Sequence, residues 1–188
     1  MRKVTAGLFV SLDGVTESPE RWQLPYFDDE MGEAVGAAMA AADAMLLGRV
    51  TYQEFAAYWP GVSSEEQPFA GYMNGTPKYV VSTTLEEPLE WDNSVLIQGN
   101  VTEEVARLKR QPGKNIRITG SVTLVRSLLR DDLIDELGLM VHPVVVGSGR
   151  RLFGEGGEPK GLELVDAKTF STGVVYLTYG PAEKRREG

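Results

Sequence analysis

Three apolar, β-rich runs in this chain end in small or hydroxyl-bearing residues: Gly48-Arg49-Val50-Thr51, Ser82-Thr83-Thr84 and Thr119-Gly120-Ser121. The first and third then enter helical patterns. If the strands lie parallel, the exits share one edge of one sheet, where backbone N–H groups and helix N-termini receive phosphate groups. Arg49 adds a guanidinium suited to a ribose 2′-phosphate or a pyrophosphate. Thr51 offers a hydroxyl and a backbone N–H to a pyrophosphate, or caps the helix that follows. The hydroxyls of Ser82 and Thr83 suit the extra phosphate of NADP, or simply end a strand. Gly120 lets backbone approach a pyrophosphate closely, and Ser121 opens the helix beneath it. The expectation is a nucleotide-binding α/β domain.

The bulk properties narrow the field. The 188 residues suffice for one well-buried core and are short for two. Hydrophobic residues make up 42% and charged residues 24%, as in ordinary globular domains. There is no cysteine, which removes disulfides, thiolate catalysis and cysteine metal sites; a single histidine argues further against a transition-metal centre. The net charge of −8 repels polyanions, so no nucleic-acid partner is expected. The one dense basic run, Lys184-Arg185-Arg186, reads as part of a frayed tail over 182–188. No apolar run reaches the length of a membrane span, and Met1-Arg2-Lys3 leads into a strand rather than a signal-peptide core. A cytoplasmic protein with no membrane partner is expected.

The elements that must position these residues follow from pattern. Val4 to Val10 reads as a strand, and 11–27 as a long loop with Gly14, Pro19 and Pro25. Met31, Val35, Ala38, Met39 and Ala42 recur at helical spacing, predicting a helix over 29–42. Strands are expected at 44–47, 78–82, 94–98, 115–119 and 134–146, the last interrupted near Pro143. Helices are expected at 51–58, at 102–109 with Thr102 as N-cap, and after Ser121 with Leu124, Val125, Leu128 and Leu129 facing the core. Residues 61–77 read as a mobile surface excursion, and a hairpin around Ser171-Thr172-Gly173 closes the chain. Together these give one domain over 1–181. It is a three-layer α/β/α sandwich with a mostly parallel mixed central sheet of about eight strands.

The order of motifs resembles the dihydrofolate reductase superfamily. Trp22-Gln23-Leu24-Pro25, then Asp28, a helix, and Leu46-Leu47-Gly48-Arg49-Val50-Thr51-Tyr52 follow the dihydrofolate reductase pattern. Ser11-Leu12-Asp13-Gly14, Leu133-Ile134-Asp135-Glu136-Leu137, His142-Pro143 and Val146-Gly147-Ser148-Gly149 are similar to the reductase half of the bifunctional deaminase–reductase of riboflavin biosynthesis. Departures are Val15 and Thr16, where that branch commonly has a basic residue, and Gly120-Ser121 in place of a glycine pair.

The resemblance implies an NADPH-dependent reductase passing hydride to a pterin- or pyrimidine-like heterocycle. A narrower alternative is reduction of 5-amino-6-(5-phosphoribosylamino)uracil; a third is a non-catalytic nucleotide-binding homodimer on the same fold. It implies that Ala6 and Gly7 hold the nicotinamide carboxamide, and that Gly48, Arg49, Thr51, Gly120 and Ser121 hold the rest of the cofactor. Asp28 matches the substrate-binding acid, with Asp13 the competing acid for proton delivery. Each has a structural reading as well: Asp28 caps the next helix, which lowers its pKa, and Asp13 makes an Asp-Gly turn. Trp22, Phe27 and Tyr52 are expected to wall the substrate. Apolar strand residues in the last third of the chain predict a homodimer.

Overall fold

The computed structural model describes residues 1–154 and 158–182. The basic run at 184–186 lies outside them. Eight strands form one sheet: β1 (Val4–Ser11), β2 (Ala42–Gly48), β3 (Lys78–Val81), β4 (Ser94–Ile97), β5 (Asn115–Thr119), β6 (Glu136–His142), β7 (Leu162–Thr169) and β8 (Val175–Pro181). Their order is β4-β3-β2-β5-β1-β6-β8-β7. The first six in that order are parallel, and the β7–β8 hairpin adds the antiparallel edge.

Helices α1 (Asp29–Ala40), α2 (Arg49–Tyr58), α3 (Ala70–Gly75), α4 (Val101–Arg110) and α5 (Val122–Arg130) cover the two faces. Strand alternation divides the apolar side chains between two cores. Val4, Ala6, Leu8, Ala44, Leu46, Ile116 and Ile118 meet α4 and α5 on one side. Met45, Leu47 and Met140 meet Met31, Val35 and Met39 of α1, Tyr52 of α2 and Met73 of α3 on the other. The expected α/β/α sandwich is the observed fold.

Four local expectations differ. Asn100, not Thr102, caps α4: its side chain accepts from the Glu103 N–H, so the cap lies two residues earlier and the helix begins at Val101. Residues 61–77 contain α3, whose Ala70 and Met73 are buried and whose Asn74 donates to Trp59 O and accepts from Trp91 Nε1; the Gly and Pro content of the stretch hid a short helix held by tertiary contacts. Helix α2 starts at Arg49, so Thr51 lies inside its first turn. Strand β6 stops at His142, because Pro143 has no N–H for the ladder.

The long loop after β1 is fixed by Asp13. Its carboxylate accepts from Ser11 Oγ (2.6 Å) and from the backbone N–H groups of Val146 (3.0 Å) and Gly147 (2.9 Å). The Leu152 N–H donates to Gly14 O, and Val15 bridges Arg151. Thus the segment after β6 is stitched to the exit of β1. The Ser11 hydroxyl and then the two backbone donors pull the Asp13 pKa down to about 2.

A carboxyl depressed in the fold stabilises it above the unfolded pKa, and that stability is lost as pH falls through the folded value. Asp13→Asn is therefore expected to lower the melting temperature at pH 7. The gap to the parent should narrow between pH 4 and pH 2. Thermal melts across that range check this; a constant gap would show that the charge is not what holds the loop.

Candidate active site

The carboxyl ends of β2 and β5 lie side by side, and both run straight into helices. The two exits are joined by a reciprocal pair of hydrogen bonds. The Gly48 N–H donates to Ser121 Oγ (2.8 Å), and the Ser121 N–H donates to Thr51 Oγ1 (3.0 Å). Gly120 makes this approach possible. Its φ is 65°, and a Cβ there would meet Thr51 Cγ2 at 3.2 Å.

Ser121 also has a positive φ, of 56°, and its hydroxyl serves Gly48 rather than its own helix. The expected cap is thus a cross-link between strand exits. Neither α2 nor α5 has a side-chain cap, so the first-turn N–H groups of both remain available at this edge.

These termini open on a cleft of about 1870 Å³. That volume exceeds what one drug-sized ligand fills and accommodates a dinucleotide with a second molecule. Arg49 stands exposed on the rim, its Nη1 donating to Gln53 Oε1 at 3.0 Å. Asp28 and Phe27 line the opposite wall, at the start of α1.

Asp28 is engaged on both oxygens: Oδ1 accepts from the Met31 N–H (2.9 Å) and Oδ2 from Ser171 Oγ (3.0 Å). The Met31 N–H is the largest influence lowering its pKa. The group is therefore held ionised, as an acceptor and a charge facing the cleft, which disfavours a role as proton donor.

The remaining sequence-expected residues disperse. Asp13 clamps the loop and does not line the cleft. Ser82 is buried and its Oγ accepts from the Thr84 and Leu85 N–H groups, so it closes its own turn; Thr83 is exposed, and neither lines the cleft. Tyr52 is only 4% exposed, its hydroxyl accepting from the Trp91 N–H, which makes it a core residue rather than a cleft wall. Trp22 donates to Glu17 O and packs edge-on against His142 instead of lining the cleft. Ala6 points into the α4–α5 core. The space beside Gly7 is taken by Arg117, whose Nη2 would stand 2.5 Å from a Cβ there, so it is not open for a ring.

His142 is fully buried, with Nδ1 on Met140 O at 2.8 Å. Burial holds its pKa below the usual range, so it serves the core as a neutral ring. Among the described residues, no group of three or more His, Cys, Asp or Glu is placed to hold a metal.

Arg117 was not among the sequence candidates. It sits mid-strand on β5, on the face opposite Ile116 and Ile118, and lines the cleft floor. Gly7 of β1 and Gly138 of β6 are register partners beside it. Their missing side chains leave a trough in which the Arg117 guanidinium and the Tyr176 ring lie across the sheet; a Cβ at Gly138 would meet the Tyr176 hydroxyl at 2.9 Å. The available signal was a pair of glycines inside strands, which marks close approach of other groups.

The comparisons agree with this architecture. The protein YyaP of Bacillus subtilis (strain 168) is 33% identical over 184 residues, 95% of this chain and 94% of its own. A crystal structure of a putative riboflavin biosynthesis protein from Shewanella sp. PV-4 matches with a TM-score of 0.75 at 21% identity, over 97% of this chain and 100% of that one. The diaminohydroxyphosphoribosylaminopyrimidine deaminase/5-amino-6-(5-phosphoribosylamino)uracil reductase of Thermotoga maritima matches with a TM-score of 0.66 at 13% identity, over 96% of this chain and 57% of that one. The family described as the RibD C-terminal domain matches residues 2–176, nearly the whole chain, and this protein belongs to that family.

Proposed function

We propose that this protein is an NADPH-dependent reductase that passes hydride to a small pyrimidine- or pterin-like heterocycle. The observation that carries the reading is the clasped pair of uncapped helix N-termini on the rim of a cleft large enough for a dinucleotide and a substrate. Backbone N–H groups of α5 beside Gly120, and of α2 beside Gly48, would hold the pyrophosphate. Arg49 would hold the ribose 2′-phosphate, its guanidinium exposed and, among the described residues, hydrogen-bonded only to the neutral Gln53 amide. Ser82 is turned into its own turn, so the preference for NADPH rests on Arg49.

When bound, the nicotinamide supplies the hydride. The protein's part is to seat the heterocycle between Phe27 and the sheet, with the ionised Asp28 accepting from ring N–H or amino groups. Since Asp28 is held ionised, the proton comes from water entering the open side of the cleft. Reduction of 5-amino-6-(5-phosphoribosylamino)uracil is the narrower second reading, favoured by the match to the reductase-containing Thermotoga enzyme. No helix among the described residues is long and apolar enough to cross a membrane, and a cytoplasmic site of action completes the proposal.

Arg49→Ala is expected to weaken NADPH binding about 10- to 100-fold and NADH binding little, because one charge-assisted phosphate contact is lost. Fluorescence titration of both cofactors checks this; equal weakening would place Arg49 away from the 2′-phosphate.

Assembly is part of the same proposal. Strand β7 forms a sheet edge whose side chains are exposed almost throughout, with Leu164 51% and Val165 63% accessible. A second copy of this chain would cover that edge. Sedimentation equilibrium at micromolar concentration is expected to give twice the chain mass of 20.6 kDa, and a value equal to one chain would rule the dimer out.

A further inference from the structure

The cleft floor holds a charge with no counter-charge. Arg117 is 8% exposed, and none of its N–H groups has a hydrogen bond or ion pair among the described residues. Beside it, Thr119 Oγ1 is buried without a partner, and the Tyr176 hydroxyl has none among the described residues. All three residues line the cleft. Buried guanidinium groups are ordinarily paired, because an unpaired one forfeits its hydration for nothing. Here the cost is built in: glycines at 7 and 138 clear the floor so that Arg117 and Tyr176 fit over the sheet.

The cofactor's phosphates do not answer this charge. Arg117 precedes Gly120 by three residues on the strand, roughly 10 Å from the helix termini that would hold them. The floor group therefore faces the other occupant of the cleft.

We infer that Arg117 is the specificity group of the cleft, and that the substrate carries a planar oxyanion, such as a carboxylate on a flat ring, which the guanidinium grips with the Tyr176 and Thr119 hydroxyls alongside. A guanidinium matches two coplanar oxygens through parallel N–H donors, which a neutral amide edge would satisfy only in part. An uncharged analogue would leave the charge buried and unpaired, so discrimination comes from the penalty as much as from the contact. The inference rests on the proposed reading of the cleft as a substrate site, but its test needs no turnover.

The probes are benzoate, nicotinate and orotate, each against its uncharged counterpart: benzamide, nicotinamide and uracil. Calorimetric titration of the full chain is expected to show at least one carboxylate binding tenfold or more tighter than its counterpart. Arg117→Met should abolish that difference while leaving NADPH affinity within twofold. It should also raise the melting temperature of the ligand-free protein, because an uncompensated buried charge is removed; a merely structural arginine would lower it.

Arg117→Lys, which keeps the charge and loses the planar fork, should retain a reduced part of the preference. Absence of preference for any carboxylate, or an Arg117→Met variant that binds them as well as the parent, overturns the inference. Loss of NADPH affinity in that variant would assign Arg117 to the cofactor and overturn it equally. Failure of NADPH to bind the parent protein, with the carboxylate preference intact, would count against the reductase reading alone.

Discussion

The site depends on one reciprocal contact, the pair of hydrogen bonds from Gly48 N–H to Ser121 Oγ and from Ser121 N–H to Thr51 Oγ1. Each bond contributes about 0.5–1.5 kcal/mol to stability. Their larger effect is geometric. They fix the exits of two adjacent parallel strands to one another, and so fix where α2 and α5 begin. The two hydroxyls are spent on backbone groups across the sheet, which leaves both helix N-termini uncapped by side chains and facing the cleft. Gly120 is the enabling residue, because its left-handed backbone brings Ser121 against Thr51 with no Cβ between them.

The same division between fixed frame and unsatisfied group recurs on the floor. Gly7 and Gly138 give up side-chain packing in the middle of the sheet, and Arg117 gives up hydration, to hold a cation on a face that apolar residues could have sealed. Asp28 stands on the wall, its pKa lowered by the helix it caps and by Ser171. A cleft with a fixed cation below and a fixed anion at the side orders a polar heterocycle by charge as well as by shape. Asp13 does not line the cleft; it holds the long β1 loop to the segment after β6.

Much of the frame was legible in the residues. Short apolar runs followed by Gly48 and Gly120, and the periodicity of Leu124, Val125, Leu128 and Leu129, gave a parallel sheet with helix-bearing exits at one edge. The site was legible only in part, for reasons that are physical. A hydroxyl after a strand reads the same whether it faces a phosphate, as expected of Ser121 and Ser82, or a backbone N–H, as found. Tyr52 and Trp22 are amphipathic rings whose sequence context does not reveal which side of a helix or loop is buried. Arg117 fits over the sheet only because Gly7 and Gly138, more than a hundred residues apart, become register partners beside it. Helix α3 lacks any periodic signal because six residues make fewer than two turns.

The proposed reading requires the clasped edge between β2 and β5 to receive a dinucleotide. The most direct measurement is a crystal structure of the protein grown with NADP⁺. The pyrophosphate is expected on the N-terminal N–H groups of α5 beside Gly120, with the 2′-phosphate on Arg49 and the hydrogen bonds between Gly48, Thr51 and Ser121 unchanged. A dinucleotide bound elsewhere, or one that breaks the clasp to reach the Ser121 hydroxyl, would contradict it.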